Sequence, residues 1–573
     1  MKEYSWIIVK TIKSTSILFL PILFFSILIG VLQPLELLLI QNITKQVSDT
    51  SLFRFRYLVL LIFLYGALYL VKALEPSINK IINELIQNRI SKHFYGELFK
   101  KISKTNLTNF NKEEFNTKIV RAQQVVNNIA YNCLNSLTTF LAGILGLISV
   151  SIIVVKNAGI IYLILFLVIS ILQNIYIIKF TKENIRLMSF IDHKSRRHTY
   201  LFQLFYNRES AREIRSHKIG AWLEEKRDSQ YEEISHAALL FSRKWSVINS
   251  IWSVLMFSCE ALIVILLILQ SQKGTLSIDQ FVVVISSYEM FIVSITGLID
   301  TMSNIAENIP YLKDYMDILR TPSSSVCAIR SADFPVRLDN VSFSYQHYKK
   351  ALDHINLTID KGQIIALVGH NGSGKTTLSQ VMLQLLAPSE GTIKSNIVFP
   401  SAVFQDFAKY AFTLRENIII GDLTSDYCWD DKYILETMRK SQCIDLATDL
   451  PMGVETFLGR EFETEGTDLS LGQWQKVAIA RSICKDADFI VFDEPTASLD
   501  PLAEKKQFDY ISQFLKGKTV VLVSHRIGLC KLADKIVYLK DGKIAEIGSH
   551  SELMDLKNEY YNFHQSQAKW YIE

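Results

Sequence analysis

The chain has 573 residues, of which 49% are hydrophobic and 21% charged. This length allows about three or four ordinary domains, and the apolar content excludes a disordered or collagen-like chain. A net charge of +4, from 61 basic and 57 acidic residues, gives no reason to expect a nucleic-acid partner.

Residues 1–13 carry Tyr4, Trp6, Ile7, Ile8 and Val9 beside Lys2, Lys10 and Lys13. They read either as an amphipathic helix at a membrane interface or as a basic tail. Six apolar runs follow, at 16–40, 57–73, 134–155, 160–178, 248–269 and 281–302. Most reach the roughly 20 residues needed to cross a bilayer as a helix. One such run fits a buried soluble helix, but six do not. The first is too long for a signal-peptide core and no small-x-small cleavage site follows it.

The second-to-third connection holds Lys80, Arg89, Lys92, Lys100, Lys101 and Lys104. The fourth-to-fifth holds Arg186, Lys194, Arg196, Arg197, Arg212 and Arg215. The opposite loops are short and carry few cations. The bias toward positive charge inside places both long connections, and both termini, in the cytoplasm. Their helix-compatible composition predicts that the spans continue outward as helices and turn near 106–117 and 205–213. Three carboxylates lie within apolar runs: Glu36, Glu260 and Glu289. Charge at membrane depth faces a cavity or a partner. A helix-packing or near-interface role is favoured over contact with a polar cargo, most of all for Glu36, which follows Pro34.

Residues 321–335 read as a linker between a membrane domain, 1–320, and a domain at 336–573. Beyond it, short β-rich runs alternate with helical stretches, the pattern of an α/β domain with a largely parallel sheet. An apolar strand at 363–368 leads into Gly369, His370, Asn371, Gly372, Ser373, Gly374, Lys375, Thr376 and Thr377, followed by a helical run. This is the phosphate-loop pattern in its required strand–loop–helix setting. Backbone N–H groups and the helix N-terminus suit phosphate oxygens. Lys375 is expected to reach the β- and γ-phosphates of ATP, and the Thr376 hydroxyl to bind Mg²⁺. A second apolar strand, 489–492, ends in Asp493 and Glu494. Asp493 is placed to hold the Mg²⁺ shell, and Glu494 to orient or deprotonate water.

With these motifs in order, the second half resembles the nucleotide-binding domain of an ABC transporter, a P-loop NTPase fold. The resemblance implies that Tyr345 stacks on adenine and that Gln405 links the γ-phosphate and Mg²⁺ site to the membrane domain. It makes 469–473 the signature loop, with Ser470, Gly472 and Gln473 as nucleotide contacts. Asp500 matches the D-loop and His525 the switch histidine. Six spans ahead of one such domain resemble a type I exporter half-transporter. In that family, loop turns such as 108–116 and 208–215 dock on the nucleotide domain. Trp474, within 472–476, and the stretch 458–462 resemble exporters of modified bacterial peptides such as lantibiotics. Peptide is therefore the favoured cargo, ahead of lipid, drug or oligosaccharide. The peptidase domain that some peptide exporters carry is expected to be absent, because few residues precede the first run.

Two departures stand out. Leu471 occupies a position where the signature loop usually has Gly, and a non-glycine residue disfavours φ > 0 and adds bulk beside phosphate. The stretch 391–405 is also shorter than the family pattern. The seven cysteines show no metal spacing, and free thiols are expected. One phosphate loop and one signature loop per chain imply, through the resemblance, a dimer that completes each site between chains. A homodimer is favoured over a heterodimer. A catalytically weak or regulatory subunit of a heterodimer is the rival reading, motivated by Leu471. The expected setting is a bacterial plasma membrane, with lipid around the spans.

Overall fold

The structure is a computed structural model. It describes residues 2–48, 53–322, 334–345, 350–394, 400–424, 429–460, 463–494, 517–524, 530 and 533–572. The chain divides into two compact units: Met1–Ser103 with Glu114–Thr321, and Lys104–Glu113 with Pro322–Glu573. The short turn 104–113, expected to belong with the membrane half, thus groups with the second unit.

In the first unit six helices are long and apolar enough to cross a membrane: Phe19–Ser48, Phe55–Ile102, Glu113–Ala158, Ile160–Ile191, Gly220–Gln272 and Ile278–Arg320. The second and third continue well past their apolar stretches. Between them, after Ile102, comes a single 3₁₀ turn, Leu107–Asn109, in which the Asn106 side chain accepts from Thr108 N. The fourth helix runs on to Tyr206, and a short helix Arg208–His217 precedes the fifth. Both turns lie where the sequence places them. Gly159, at φ +89°, breaks the third helix from the fourth with a backbone that a side chain disfavours. The sixth helix opens with a capping box in which Ser277 and Gln280 satisfy each other's backbone N–H groups.

Residues Lys2–Thr15 form a helix. Its Tyr4, Ile7, Thr11 and Thr15 are buried against protein, so this face is not presented to lipid. Tyr4 Oη donates to Cys133 O at 3.0 Å, and Lys10 pairs with Glu97. Glu36 is resolved in favour of a packing pair, with Lys72 of the second span as its partner. Glu260 and Glu289 are exposed in this single chain. At one end of the bundle, Gln41 Nε2 donates to Asn157 Oδ1 at 2.6 Å and to Asp279 Oδ2 at 3.3 Å, which ties spans one, three and six.

The second unit holds two sheets. A three-stranded antiparallel sheet has the order β2-β1-β4, with β1 Val336–Ser344, β2 Lys350–Ile359 and β4 Glu390–Lys394. The six-stranded sheet has the order β5-β6-β7-β3-β8-β9. Its members are β3 Ile364–Val368, β5 Ser401–Val403, β6 Phe489–Asp493, β7 Thr519–Val523, β8 Lys535–Lys540 and β9 Lys543–Gly548. All its neighbours pair in parallel except β8 with β9. Strands such as FIVFD and TVVLV are buried along their whole length, as expected for parallel strands covered on both faces. The parallel order brings the C-terminal ends of β3 and β6 to one edge, where open α/β sheets bind ligands. Of the cysteines, Cys133, Cys259, Cys443, Cys484 and Cys530 are free thiols.

Candidate nucleotide site

The loop after β3 is shaped by contacts that exclude a side chain. Gly369 sits at φ +153°, and a Cβ there would lie 2.2 Å from Leu539 O. Gly374, at φ +103°, would place a Cβ 2.6 Å from Ala351 O. The helix Lys375–Met382 begins directly after it. The Lys375 side chain folds back across the loop, and its Nζ donates to Gly369 O at 2.8 Å and His370 O at 2.9 Å. Burial pushes the Lys375 pKa down, while Glu494 and Asp493 pull it up.

Opposite stands the end of β6. Asp493 is buried, and burial lifts its carboxyl pKa to about 6, against the lowering effect of the Thr376 hydroxyl. Thr376 Oγ1 and Asp493 Oδ1 are 3.5 Å apart. Glu494 turns out of the strand at φ +48°, with its N–H donating to Val523 O at 3.0 Å.

These elements enclose a cavity of about 710 Å³. Tyr345, Ala351, Asn371, Gly372, Gly374, Lys375, Thr376, Thr377, Gln405 and Glu494 line it. The Tyr345 hydroxyl lies 3.3 Å from Thr377 Oγ1, and its ring meets Phe343 edge-on at 4.9 Å. Ser373 Oγ is buried with no hydrogen-bond partner, a donor left for an oxygen ligand. A buried lysine, an orphaned hydroxyl and the N-terminus of the helix that starts at Lys375 fit a polyphosphate. A hydroxyl beside a carboxylate, with an amide in the same cavity, is an all-oxygen donor set that fits Mg²⁺.

Ser470, Gly472 and Gln473 are not among the residues that line this cavity. Ser470 instead caps the helix Leu471–Cys484, in a reciprocal capping box with Gln473. Leu471 is the first residue of that helix and has negative φ, so the expected conformational conflict at this position does not arise. Its 53% exposed side chain leaves bulk as the only departure at this position. Trp474 is buried in the core of the helical part of this unit. Asp500 and His525 lie outside the described residues.

Sequence reasoning missed Arg481. From the same helix its guanidinium donates to Asn417 O and Asn417 Oδ1, both at 3.0 Å, and to Ala408 O at 3.1 Å. It also covers the Tyr410 ring at 4.7 Å. It therefore pins the segment that follows Gln405.

The family model for ABC transporter matches residues 352–497. Over 532 residues the chain is 26% identical to the nisin transport ATP-binding protein NisT of Lactococcus lactis subsp. lactis, covering 89% of this chain and 88% of that one. It is 27% identical to the subtilin transport ATP-binding protein SpaT of Bacillus subtilis, over 96% and 94% of the two chains. The ATP-dependent lipid A-core flippase of Syntrophus aciditrophicus (strain SB) is 34% identical, over 41% of this chain and 39% of its own. The fold matches the structure of a bacterial Atm1-family ABC exporter with ATP bound, with a TM-score of 0.80 and 20% identity over 95% and 97% of the chains. The chain thus carries an ABC transporter domain, preceded in sequence by six helices that, among the described residues, are long and apolar enough to cross a membrane, and its ATPase couples ATP hydrolysis to transport.

Proposed function

We propose that this chain is one half of a dimeric exporter of modified peptides. ATP-driven export is common ground with its relatives. The peptide reading is carried by one contrast. Similarity to the nisin and subtilin transport proteins runs through both halves of the chain, whereas similarity to the lipid A-core flippases covers about half of it or less.

The residues around the cavity suggest how the work is divided. The 369–377 backbone N–H groups and the Lys375 ammonium bind the β- and γ-phosphates of ATP, and Tyr345 stacks on adenine. Ser373 Oγ donates to a phosphate oxygen. Thr376, Asp493 and Gln405 would hold Mg²⁺, which when bound offsets phosphate charge. Glu494 accepts a proton from the attacking water. His525 and Asp500 take the switch and D-loop roles. Ser470, Gly472 and Gln473, absent from the cavity lining in their own chain, serve the phosphates of a second chain. Two chains then close two sites, and turns 104–113 and 208–217 pass closure to the spans. The 1–320 segment forms the translocation domain and 336–573 the motor, joined by 321–335. Both termini and the motor lie on the cytoplasmic side of a bacterial plasma membrane.

A homodimer is the simplest assembly. Leu471 favours a second reading, a heterodimer in which a partner with a small residue there supplies the better site. The test is uptake of a labelled modified peptide into inside-out vesicles containing the protein. ATP-dependent uptake, abolished by Lys375→Ala, supports the peptide reading. ATP-dependent lipid translocation without peptide uptake replaces it.

A further inference from the structure

The phosphate loop is braced from behind by the last helix of the chain. His370 is the loop's second residue. Its carbonyl accepts from Lys375 Nζ at 2.9 Å and from Ser373 N at 3.1 Å. The orientation of this peptide therefore sets where the Lys375 ammonium rests and how the turn to Ser373 closes. The His370 residue is exposed overall, yet its ring lies edge-on to Phe563, with centroids 5.4 Å apart and planes at 86°.

Phe563 is well supported. It lies on the helix Glu559–Ile572 and is 7% exposed, in a cluster with Val368, Ile536, Tyr538, Leu553 and Tyr560. The start of that helix is fixed at several points. Glu546 Oε1 accepts from Glu559 N at 2.7 Å and Tyr560 N at 3.3 Å, and Lys540 pairs with Glu559 at 2.6 Å. The Tyr560 hydroxyl meets His550 Nδ1 at 2.9 Å. Val368, the last residue before the loop, pairs with Tyr538, whose ring is 5.7 Å from that of Phe563. The helix thus reaches the loop by two routes: through the strand that feeds it, and directly through the His370 ring.

We propose that Phe563 is a positioning residue for the phosphate loop. By holding the His370 ring it restricts the backbone of residue 370, keeps that carbonyl turned toward Lys375, and raises the affinity for ATP without touching the nucleotide. This rests on the reading of 369–377 as the nucleotide loop. Edge-to-face aromatic contacts supply about twofold to tenfold in an equilibrium constant.

The test is the Kd of the full-length protein for ATP, measured in lipid nanodiscs by displacement of a fluorescent nucleotide. Phe563→Ala should raise Kd by about twofold to tenfold. Phe563→Tyr should restore it. In a His370→Ala background, Phe563→Ala should change Kd no further. Leu553→Ala, in the same buried cluster, should lower thermal stability and leave Kd unchanged. If Phe563→Ala does not fold, Phe563→Leu carries the same expectation. An unchanged Kd, an equal rise in the Leu553 variant, or full additivity with His370→Ala overturns the proposal. A wild-type chain that binds no ATP overturns the loop reading and this proposal together, and is told apart by the wild-type titration alone.

Discussion

Replacing Arg481 by Met should destabilise the nucleotide domain and release the segment behind Gln405. The guanidinium makes three hydrogen bonds that Met cannot make, two to Asn417 and one to Ala408 O. Asn417 is fully buried and in turn donates to the carbonyls of Tyr410, Phe412 and Thr413. The two residues form one node, and losing Arg481 strips acceptors that are partly shut off from water. At about 1 kcal/mol net per hydrogen bond the loss is about 3 kcal/mol. We take the value for neutral pairs rather than the higher one for charged donors because burial already disfavours this cation and lowers its pKa. For a domain of this size, about 2–4 °C per kcal/mol converts this to a Tm lowered by about 6–12 °C. Thermal unfolding of the purified, nucleotide-free protein reads the shift, and hydrogen exchange should quicken first across 408–417. Arg481→Lys, with one point charge in place of a fork, should fall between the two. A Tm within about 1 °C of wild type, or unchanged exchange at 408–417, would show that Arg481 does not hold this segment.

Three further expectations follow from single contacts. Because the folded domain holds the Asp493 proton up to about pH 6, above its unfolded value of 3.8, its ionisation opposes folding increasingly between those pH values. Asp493→Asn should therefore raise the Tm of nucleotide-free, metal-free protein more at pH 7.5 than near pH 4; equal gains at both would contradict this. Leu471 is helical, so Leu471→Ala and Leu471→Gly should raise ATP turnover alike if bulk is the obstacle; acceleration by Gly alone would restore the strain argument. Lys72→Ala should lower stability in detergent by leaving Glu36 unpaired, and adding Glu36→Gln should recover much of the loss; a single variant as stable as wild type would show that the pair contributes little.

What could be read from the sequence followed the range of the interactions. The phosphate loop is a run of consecutive residues whose backbone shape depends on its own glycines, so Lys375 and Thr376 were legible, and so was the β6 terminus at Asp493. The six spans were legible because bilayer crossing is a matter of composition and length. Contacts across long separations were not. Arg481 reaches Asn417 and Ala408 from 64 and 73 residues away, and nothing about an arginine in a helix signals that its guanidinium turns inward. The apolar residues of the first helix suggested a membrane interface or a basic tail, and only the partners of Tyr4 and Lys10 show that it packs on protein. At Leu471 the sequence suggested a backbone problem, because a missing glycine draws attention to φ. The capping box formed by Ser470 and Gln473 makes the position an ordinary helix start.

The proposed function has an ATP-driven motor completed by a second copy of the chain. Its most direct test is ATP hydrolysis by the purified chain alone in lipid, comparing wild type with Glu494→Gln. The wild type should show Mg²⁺-dependent hydrolysis, and the Glu494→Gln protein should bind ATP, be held as a closed dimer and not turn over. Hydrolysis that continues at the wild-type rate in Glu494→Gln would contradict it.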